Sequence, residues 1–383
     1  MRVTPASQPL PVTELLGDQA GKLRCLACGS PLELTFVAEH PGYPELGPDG
    51  TLSCAACPER YPLIAGTPRM LAPEHLQRLQ LSYPLAAETL RRHGDSRVDR
   101  GDADAAVKQL TAASFAYEWR HFGALRDEWA RNFAEYLRPH APADLAGREI
   151  LDVGAGSGRH SFHAAGAGAH VVAVDLAESI DVARRNLPRT VLTVQADAEA
   201  LPFEHESFDL VMSIGVLHHL PDPDRALRSI LRLARPGGHV HVYLYWVPRQ
   251  RWQRRVLRIV TAARRVTVRL HHPLLHAFCY PLAAVALVVF VAPHRALRHR
   301  PRGRGLAATL PLQTYADYPF GVLVNDQFDR LSAPLERRYT AQEVAEMLTA
   351  AGLEDVVVLP SHGWLGDGRR PAASATPAAA RSR

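Results

Sequence analysis

At 383 residues, with five cysteines, 30 prolines and a formal net charge of +5, the chain is long enough for a full core and more than one domain. Its ordinary composition excludes a collagen-like, low-complexity or disulfide-scaffold protein. The charge excludes an evenly basic, nucleic-acid-coating surface: no acid occurs between Asp224 and Asp317, residues 247–316 hold 13 arginines and no lysine, and the remainder sums to 5 − 13 = −8. The positive charge belongs to one insert.

Residues 1–20 have no basic start leading into an apolar run, so they read as a loose tail without a secretory signal, and a cytoplasmic location is expected. Residues 21–73 carry "CLAC" and "CAAC", which set Cys25, Cys28, Cys54 and Cys57 as two knuckles with a hairpin and an extra loop between them. Two C-x-x-C pairs in a reducing compartment point to one tetrahedral, structural zinc site with all four positions filled by thiolates.

Residues 74–145 are helical in pattern and read as a linker and cofactor cap. From Glu149 to Trp246 strand and helix patterns alternate: "EILDV", "HVVAVD", "VLTVQAD", "FDLVMSI" and "GHVHVYLYW" are strands, and "PDPDRALRSILRLARPGG" supplies the helix between the last two. Such alternation specifies an α/β protein with a Rossmann-like, mostly parallel sheet. The core therefore spans 146–246 and resumes at 312–365. There Thr340 and Glu343 form a capping box before "LEDVVVLP", a sixth strand; a seventh is hard to find in "SHGWLG", and 366–383 read as a disordered tail.

The stretch "ILDVGAGSGRHSFHAAGAGAHVVAVD" contains a strand, a glycine loop, a helix and a second strand ending on an acid. The dinucleotide fingerprint wants a third glycine where Arg159 stands, and Asp152 would face a pyrophosphate unfavourably. A cofactor with a cationic amine and no phosphate suits Asp152, and S-adenosylmethionine is one. Asp175 and Asp197, at the tips of the next two strands, are placed to accept from ribose hydroxyls and from an adenine amino group, and backbone N–H groups of the loop can take the cofactor's carboxylate.

The segments "LDVGAGSGRH", "VVAVDLAES", "ADAEALPFEHESFDLV" and "SIGVLHHLPDPDRALRSILRLARPGG" resemble the motifs of class I methyltransferases, in particular the small-molecule branch with the ubiquinone and menaquinone enzymes. That resemblance implies Asp152, Gly154, Ala155, Gly156, Asp175, Leu176, Asp197, Ala198 and Ile214 as cofactor contacts. "SFAYEWRHFG" resembles a segment that closes over the cofactor's methionine end, through Tyr117 and Trp119, or anchors a helix. The cysteine region resembles the Trm112-type zinc module, fused here to a methyltransferase.

After the fourth strand the chain lacks the motif used on base amines or glutamine amides, so a small-molecule or lipid-linked acceptor is expected and nucleic acid is not. His218 and His219 are candidate general bases, or pack the turn before Pro221. "NDQFDRLSAPLERRYT" resembles a segment that precedes the last helix in related methyltransferases and lines the acceptor side, which implies Asp326, Asp329 and Arg330 as acceptor contacts, or else as loop-structuring groups.

In the insert, 247–311, apolar residues at 252, 256, 259, 263, 266 and 270 make a helical stripe with arginines off it, followed by nineteen uncharged residues from Leu274. A single span is disfavoured, because the sheet resumes afterwards. Residues 249–304 are then either a hairpin on an anionic membrane face or a lid over the acceptor pocket. The alternatives to small-molecule methyl transfer are an RNA methyltransferase and a non-catalytic cofactor-binding adaptor.

Overall fold

The structure is a computed structural model that describes residues 10–72, 103–248, 250–307 and 309–372. The first part of the expected linker, 74–102, and the tail beyond 372 lie outside the described residues. The chain divides into two compact units, one comprising 1–102, 125–247 and 337–383, the other 103–124 and 248–336.

The first unit carries the strands β1 (Leu10–Pro11), β2 (Leu32–Ala38), β3 (Asp49–Cys54), β4 (Arg60–Ile64), β5 (Thr67–Met70), β6 (Glu149–Val153), β7 (His170–Asp175), β8 (Leu192–Ala196), β9 (Phe208–Ile214), β10 (Ala234–Leu244), β11 (Glu354–Pro360) and β12 (Trp364–Arg369). They join edge to edge in the order β1-β2-β3-β4-β5-β8-β7-β6-β9-β10-β12-β11. From β8 to β10 every pairing is parallel, whereas β12 runs antiparallel to both β10 and β11. The near-continuous apolar runs of β6 to β9 follow from this placement, since a central parallel strand is covered on both faces. The chain passes from β6 outward to β7 and β8, then returns to the other side of β6 with β9. The crevice at the carboxyl ends of β6 and β9 is therefore the topological switch point, where open α/β sheets bind ligands.

Several expected boundaries shift. Residues 10–20, read as a loose tail, include β1 and the short helix Val12–Leu16, and Val12 and Ala20 are buried in the main core. The cysteine region is continuous with the core sheet, because β5 pairs in parallel with β8, Arg69 opposite Gln195. Arg69 is fully buried and reaches Asp181 at 2.7 Å and Gln195 Oε1 at 3.1 Å. Leu23, Leu34 and Leu52 share one hydrophobic cluster with Val174, Val194 and Phe203, and each such buried side chain contributes about 1.5–3 kcal/mol.

The third shift is at the carboxyl end, where β12 runs on to Arg369 through residues expected to begin the tail. "WLGDGR" carries little strand propensity, and its glycines answer a packing need. A Cβ on Gly366 would lie 2.8 Å from Leu348 and 2.9 Å from Val344, so glycine lets the helix Ala341–Ala350 press on the strand. That helix starts as its sequence specifies: the Glu343 N–H donates to Thr340 Oγ1 at 3.2 Å, and the Thr340 N–H to Glu343 Oε2 at 2.7 Å.

The second unit contains the helices Ala103–Phe122, Arg251–Thr267, His272–Ala286 and Phe320–Ser332. Leu275, Cys279, Ala283 and Val291 pack with Leu323, Val324 and Phe328. Residues 312–336, expected in the sheet domain, belong to this unit because Phe320–Ser332 supplies half of its core. The polypeptide leaves the sheet and rejoins it at one place: Trp246 bridges Tyr339, and the Val247 N–H donates to the Tyr339 carbonyl at 2.9 Å.

Candidate active site

The glycine loop follows β6 and turns into the helix Arg159–Gly166. Gly154 has φ +82°, and a Cβ there would lie 2.1 Å from Val216 Cγ2, so conformation and space both require glycine. The loop is tied to β7: the Gly154 and Ala155 N–H groups donate to the Val174 carbonyl at 2.7 and 2.9 Å. Asp175 at the tip of β7 accepts from the Gly156 N–H through Oδ2 at 2.8 Å and from the Ala177 N–H through Oδ1 at 2.7 Å. The loop donors expected for a ligand carboxylate are thus satisfied internally at 154, 155 and 156. A carboxylate offers about four lone-pair sites, so Asp175 keeps acceptor capacity for hydroxyl groups. Burial pushes its carboxyl pKa up against those two backbone bonds.

Asp152, one residue before the end of β6, is 1% exposed and accepts from Ser161 Oγ at 2.6 Å. Burial raises its pKa to about 6, opposed by the Ser161 bond and reinforced by the charge of Asp175. A buried carboxyl that ionises near neutrality binds a cation well, because the cation relieves the burial penalty. Asp197 follows β8 and accepts the Glu199 N–H at 2.9 Å. Ala198 and Ile214 are buried, and the Leu176 carbonyl accepts from Gln195 at 2.9 Å. Three acids thus stand at the carboxyl ends of the adjacent strands β6, β7 and β8, beside a glycine loop. This arrangement suits a ligand with a cationic group at one end and a diol further along.

His218 and His219 lie in the 3-10 turn Leu217–His219 after β9. His218 is wholly buried and stacks on Tyr245 with centroids 4.0 Å apart. Neither of its ring nitrogens has a hydrogen-bond partner among the described residues. Burial, with the charges of His219 and Arg338, holds it well below the usual histidine range and therefore neutral. Its carbonyl accepts the Arg337 N–H at 2.8 Å, anchoring the turn where the chain re-enters the sheet.

Tyr117 and Trp119 sit on the helix Ala103–Phe122 of the second unit. Tyr117 stacks on His121 at 4.1 Å, and its hydroxyl meets His276 Nδ1 at 3.2 Å, contacts that anchor the helix within that unit. Asp326 and Arg330 form an ion pair at 2.7 Å along Phe320–Ser332, and Asp329 lies between them on that helix.

The four cysteines converge. Cys25–Cys57 and Cys28–Cys57 sulfurs are 3.6 Å apart, Cys28–Cys54 3.4 Å, and all four lie within 4.8 Å of one another. A tetrahedron of thiolates about 2.3 Å from a zinc ion has edges of about 3.8 Å, so the donor set fits one. The Ala56 N–H donates to Cys54 Sγ at 3.4 Å, which orients that sulfur.

Sequence reasoning missed Ser161, which holds Asp152, and Arg69, which secures β5 beside β8. It also missed a histidine cluster around Asp367. Only the last had a legible signal, the H-V-H alternation in "GHVHVYLYW", which puts His239 and His241 on one face of a strand.

Residues 151–242 match the family model described as a methyltransferase domain. The chain is 40% identical over 111 residues to the demethylmenaquinone methyltransferase of Clavibacter sepedonicus, covering 28% of this chain and 45% of that protein. It is 41% identical over 103 residues to the ubiquinone biosynthesis O-methyltransferase of Aromatoleum aromaticum, covering 26% and 44%. The chain thus spans less than half the length of these curated relatives. Among solved structures, the Burkholderia thailandensis 1,6-didemethyltoxoflavin-N1-methyltransferase with bound 1,6-didemethyltoxoflavin and S-adenosylhomocysteine aligns over 72% of this chain and 94% of its own, at 18% identity and a TM-score of 0.40. Residues 151–242 are thus similar to a methyltransferase domain, and they lie in the Rossmann-like α/β sheet of the first unit.

Proposed function

We propose that the protein is an S-adenosylmethionine-dependent methyltransferase whose acceptor is a lipid-linked or otherwise membrane-dissolved small molecule. The trio Asp152, Asp175 and Asp197 beside the Gly154–Gly158 loop carries the cofactor assignment, since their charge and their order along the tips of adjacent strands suit an amine, a diol and an adenine amine in turn. The cofactor supplies a methyl group on a sulfonium sulfur. The chain's residues orient it, and the reaction depends on holding the acceptor's lone pair in line and excluding water. A neutral, buried His218 beside that end of the sheet is the candidate proton acceptor.

The acceptor class rests on the second unit. Trp252, Val256, Ile259 and Val266, along the helix Arg251–Thr267, are 44–70% exposed, whereas Arg264 on the same helix is 5% exposed. Leu274, Phe278, Val285 and Val288 are exposed in the next apolar run. A lid closed over a pocket buries its apolar stripe; this one leaves it outward, interleaved with the exposed Arg251, Arg254, Arg255, Arg258, Arg265 and Arg269. That pattern supports an interfacial surface facing anionic lipid, and the apolar half of the face argues against RNA. Residues His272–Leu297 form one helix long and apolar enough to cross a membrane. The chain's exit and return at Val247 and Tyr339 favour lying in one face over crossing. The relatives named for menaquinone and ubiquinone biosynthesis support a hydrophobic acceptor by likeness.

The cysteine cluster is proposed to hold structural zinc, as in the Trm112-type module it resembles. Metal analysis should find zinc in the wild type and none at this site in Cys54→Ser, with lower thermal stability; a zinc-free wild type of equal stability refutes it. For the function, methyl-labelled S-adenosylmethionine incubated with the protein and a cell extract should leave label in the organic phase. Label that stays aqueous and is released by RNase would favour the RNA alternative.

A further inference from the structure

We infer that His140, His241 and Asp367 form a second metal site in the first unit, for a divalent first-row transition ion such as zinc, with His239 steadying the carboxylate. His241 and Asp367 are register partners on the paired strands β10 and β12, so the sheet fixes their separation. His140 comes from the loop after the helix Glu128–Leu137, and its Nε2 lies 2.8 Å from Asp367 Oδ1. His239 lies two residues before His241 on the same face, and its Nδ1 is 2.8 Å from Asp367 Oδ2. The ligand atoms of His140, His241 and Asp367 lie within 4.8 Å of one another.

The unfilled valence is at His241. Its Nε2 donates to the Tyr136 carbonyl at 2.7 Å, so a neutral ring carries its hydrogen there, and Nδ1 presents a lone pair. That lone pair faces Asp367 Oδ1 at 3.4 Å, without a hydrogen bond, where the two residues are 0% and 3% exposed. Such a pair in the interior needs a positive charge between its atoms, supplied either by a proton on Nδ1 or by a metal ion. A tetrahedral ion with metal–nitrogen and metal–oxygen bonds of about 2.0–2.1 Å needs an edge of about 3.4 Å, which this pair already has. His140 completes the site by presenting Nε2 without its hydrogen, after an outward shift of a few tenths of an ångström. His239 keeps its bond to Oδ2, as a carboxylate ligand requires for orientation. The side chains of His140 and His239 are 14% and 29% exposed, which gives an ion an entry path. Two histidines and a carboxylate suit zinc, iron or cobalt over magnesium or calcium. Such an ion would clip β12, whose own sequence holds it weakly, to β10 and to the segment after Glu128–Leu137.

The test titrates metal-stripped full chain with Co(II) and records its absorption. Thiolate-bound cobalt shows intense charge-transfer bands together with strong d–d bands, and a histidine–carboxylate site shows d–d bands without charge transfer, so the second site is read as the equivalent that adds d–d absorption after the charge-transfer bands of the cysteine site have saturated. One equivalent with d–d bands alone is expected, lost in His140→Gln and in Asp367→Asn while far-ultraviolet circular dichroism stays that of the wild type. His239→Gln should keep the stoichiometry and weaken affinity about 10- to 100-fold. Absence of that equivalent in the wild type, or its survival in His140→Gln, overturns the inference. If Asp367→Asn fails to fold, His140→Gln, at the solvent edge, decides alone.

Discussion

In the first unit Asp152 is 1% exposed and held by Ser161, and its apolar strands are sealed. In the second, Ile259 and Val288 are 70% and 69% exposed, while Arg264 is 5% exposed and paired with Glu336 at 2.6 Å. The first unit buries Asp152 and keeps Asp175 and Asp197 half-buried at the strand tips, the arrangement on which the proposed recognition of a cationic, hydroxyl-bearing ligand rests. The second turns apolar surface outward and spends a buried ion pair on its own packing, an arrangement suited to an apolar surround. The difference predicts that lesions in one unit spare the property of the other.

The largest effect is expected for Asp175→Ala. Two hydrogen bonds to a charged group are worth about 3–6 kcal/mol, so calorimetry should find cofactor affinity at least about 100-fold weaker with binding to anionic vesicles unchanged. Unchanged cofactor affinity would move the ligand elsewhere. Next comes the double variant Ile259→Asp with Val288→Asp. Losing two apolar side chains from a lipid interface costs about 3–6 kcal/mol, so vesicle co-sedimentation should fall about 100-fold or more while cofactor affinity stays. Equal vesicle binding by wild type and variant would leave the apolar face without a lipid role.

The third effect is a pH dependence. Because burial raises Asp152 to about 6, a cation is bound by the ionised form, and cofactor affinity should fall about tenfold per pH unit below that value. Asp152→Asn should flatten the profile. Stability runs the other way: the folded state holds this proton more tightly than the unfolded chain. The stabilisation is therefore fully present below the ordinary carboxyl value of 3.8 and is lost as pH rises through about 6. A shift of this size corresponds to about 3 kcal/mol.

The sheet core was legible because its strands are uniform apolar runs separated by glycine pairs and capping signals, and the strand-tip acids are set by position alone. The edges were not. β5 is four residues long and is secured by the side chain of Arg69, a contact between positions 112 residues apart that no local pattern encodes. β12 is short of β-formers because the helix Ala341–Ala350 demands glycine at 366 and Leu353, just beyond it, demands glycine at 368. Asp326 and Arg330 read as candidate site residues from a loop-like context, yet they lie on a helix whose other face supplies the second unit's core. The helical stripe from Trp252 was plain in the sequence, but the periodicity carries no sign: an apolar face has the same spacing turned inward or outward, and only exposure distinguishes the two.

The most direct measurement compares methyl transfer by the wild type and by Ile259→Asp/Val288→Asp, from labelled S-adenosylmethionine into a membrane lipid extract held in anionic vesicles. The expected result is organic-phase label with the wild type and its loss in the variant at undiminished cofactor affinity. Equal labelling by both proteins, or label found only in an RNase-sensitive aqueous fraction, would contradict a membrane-dissolved acceptor.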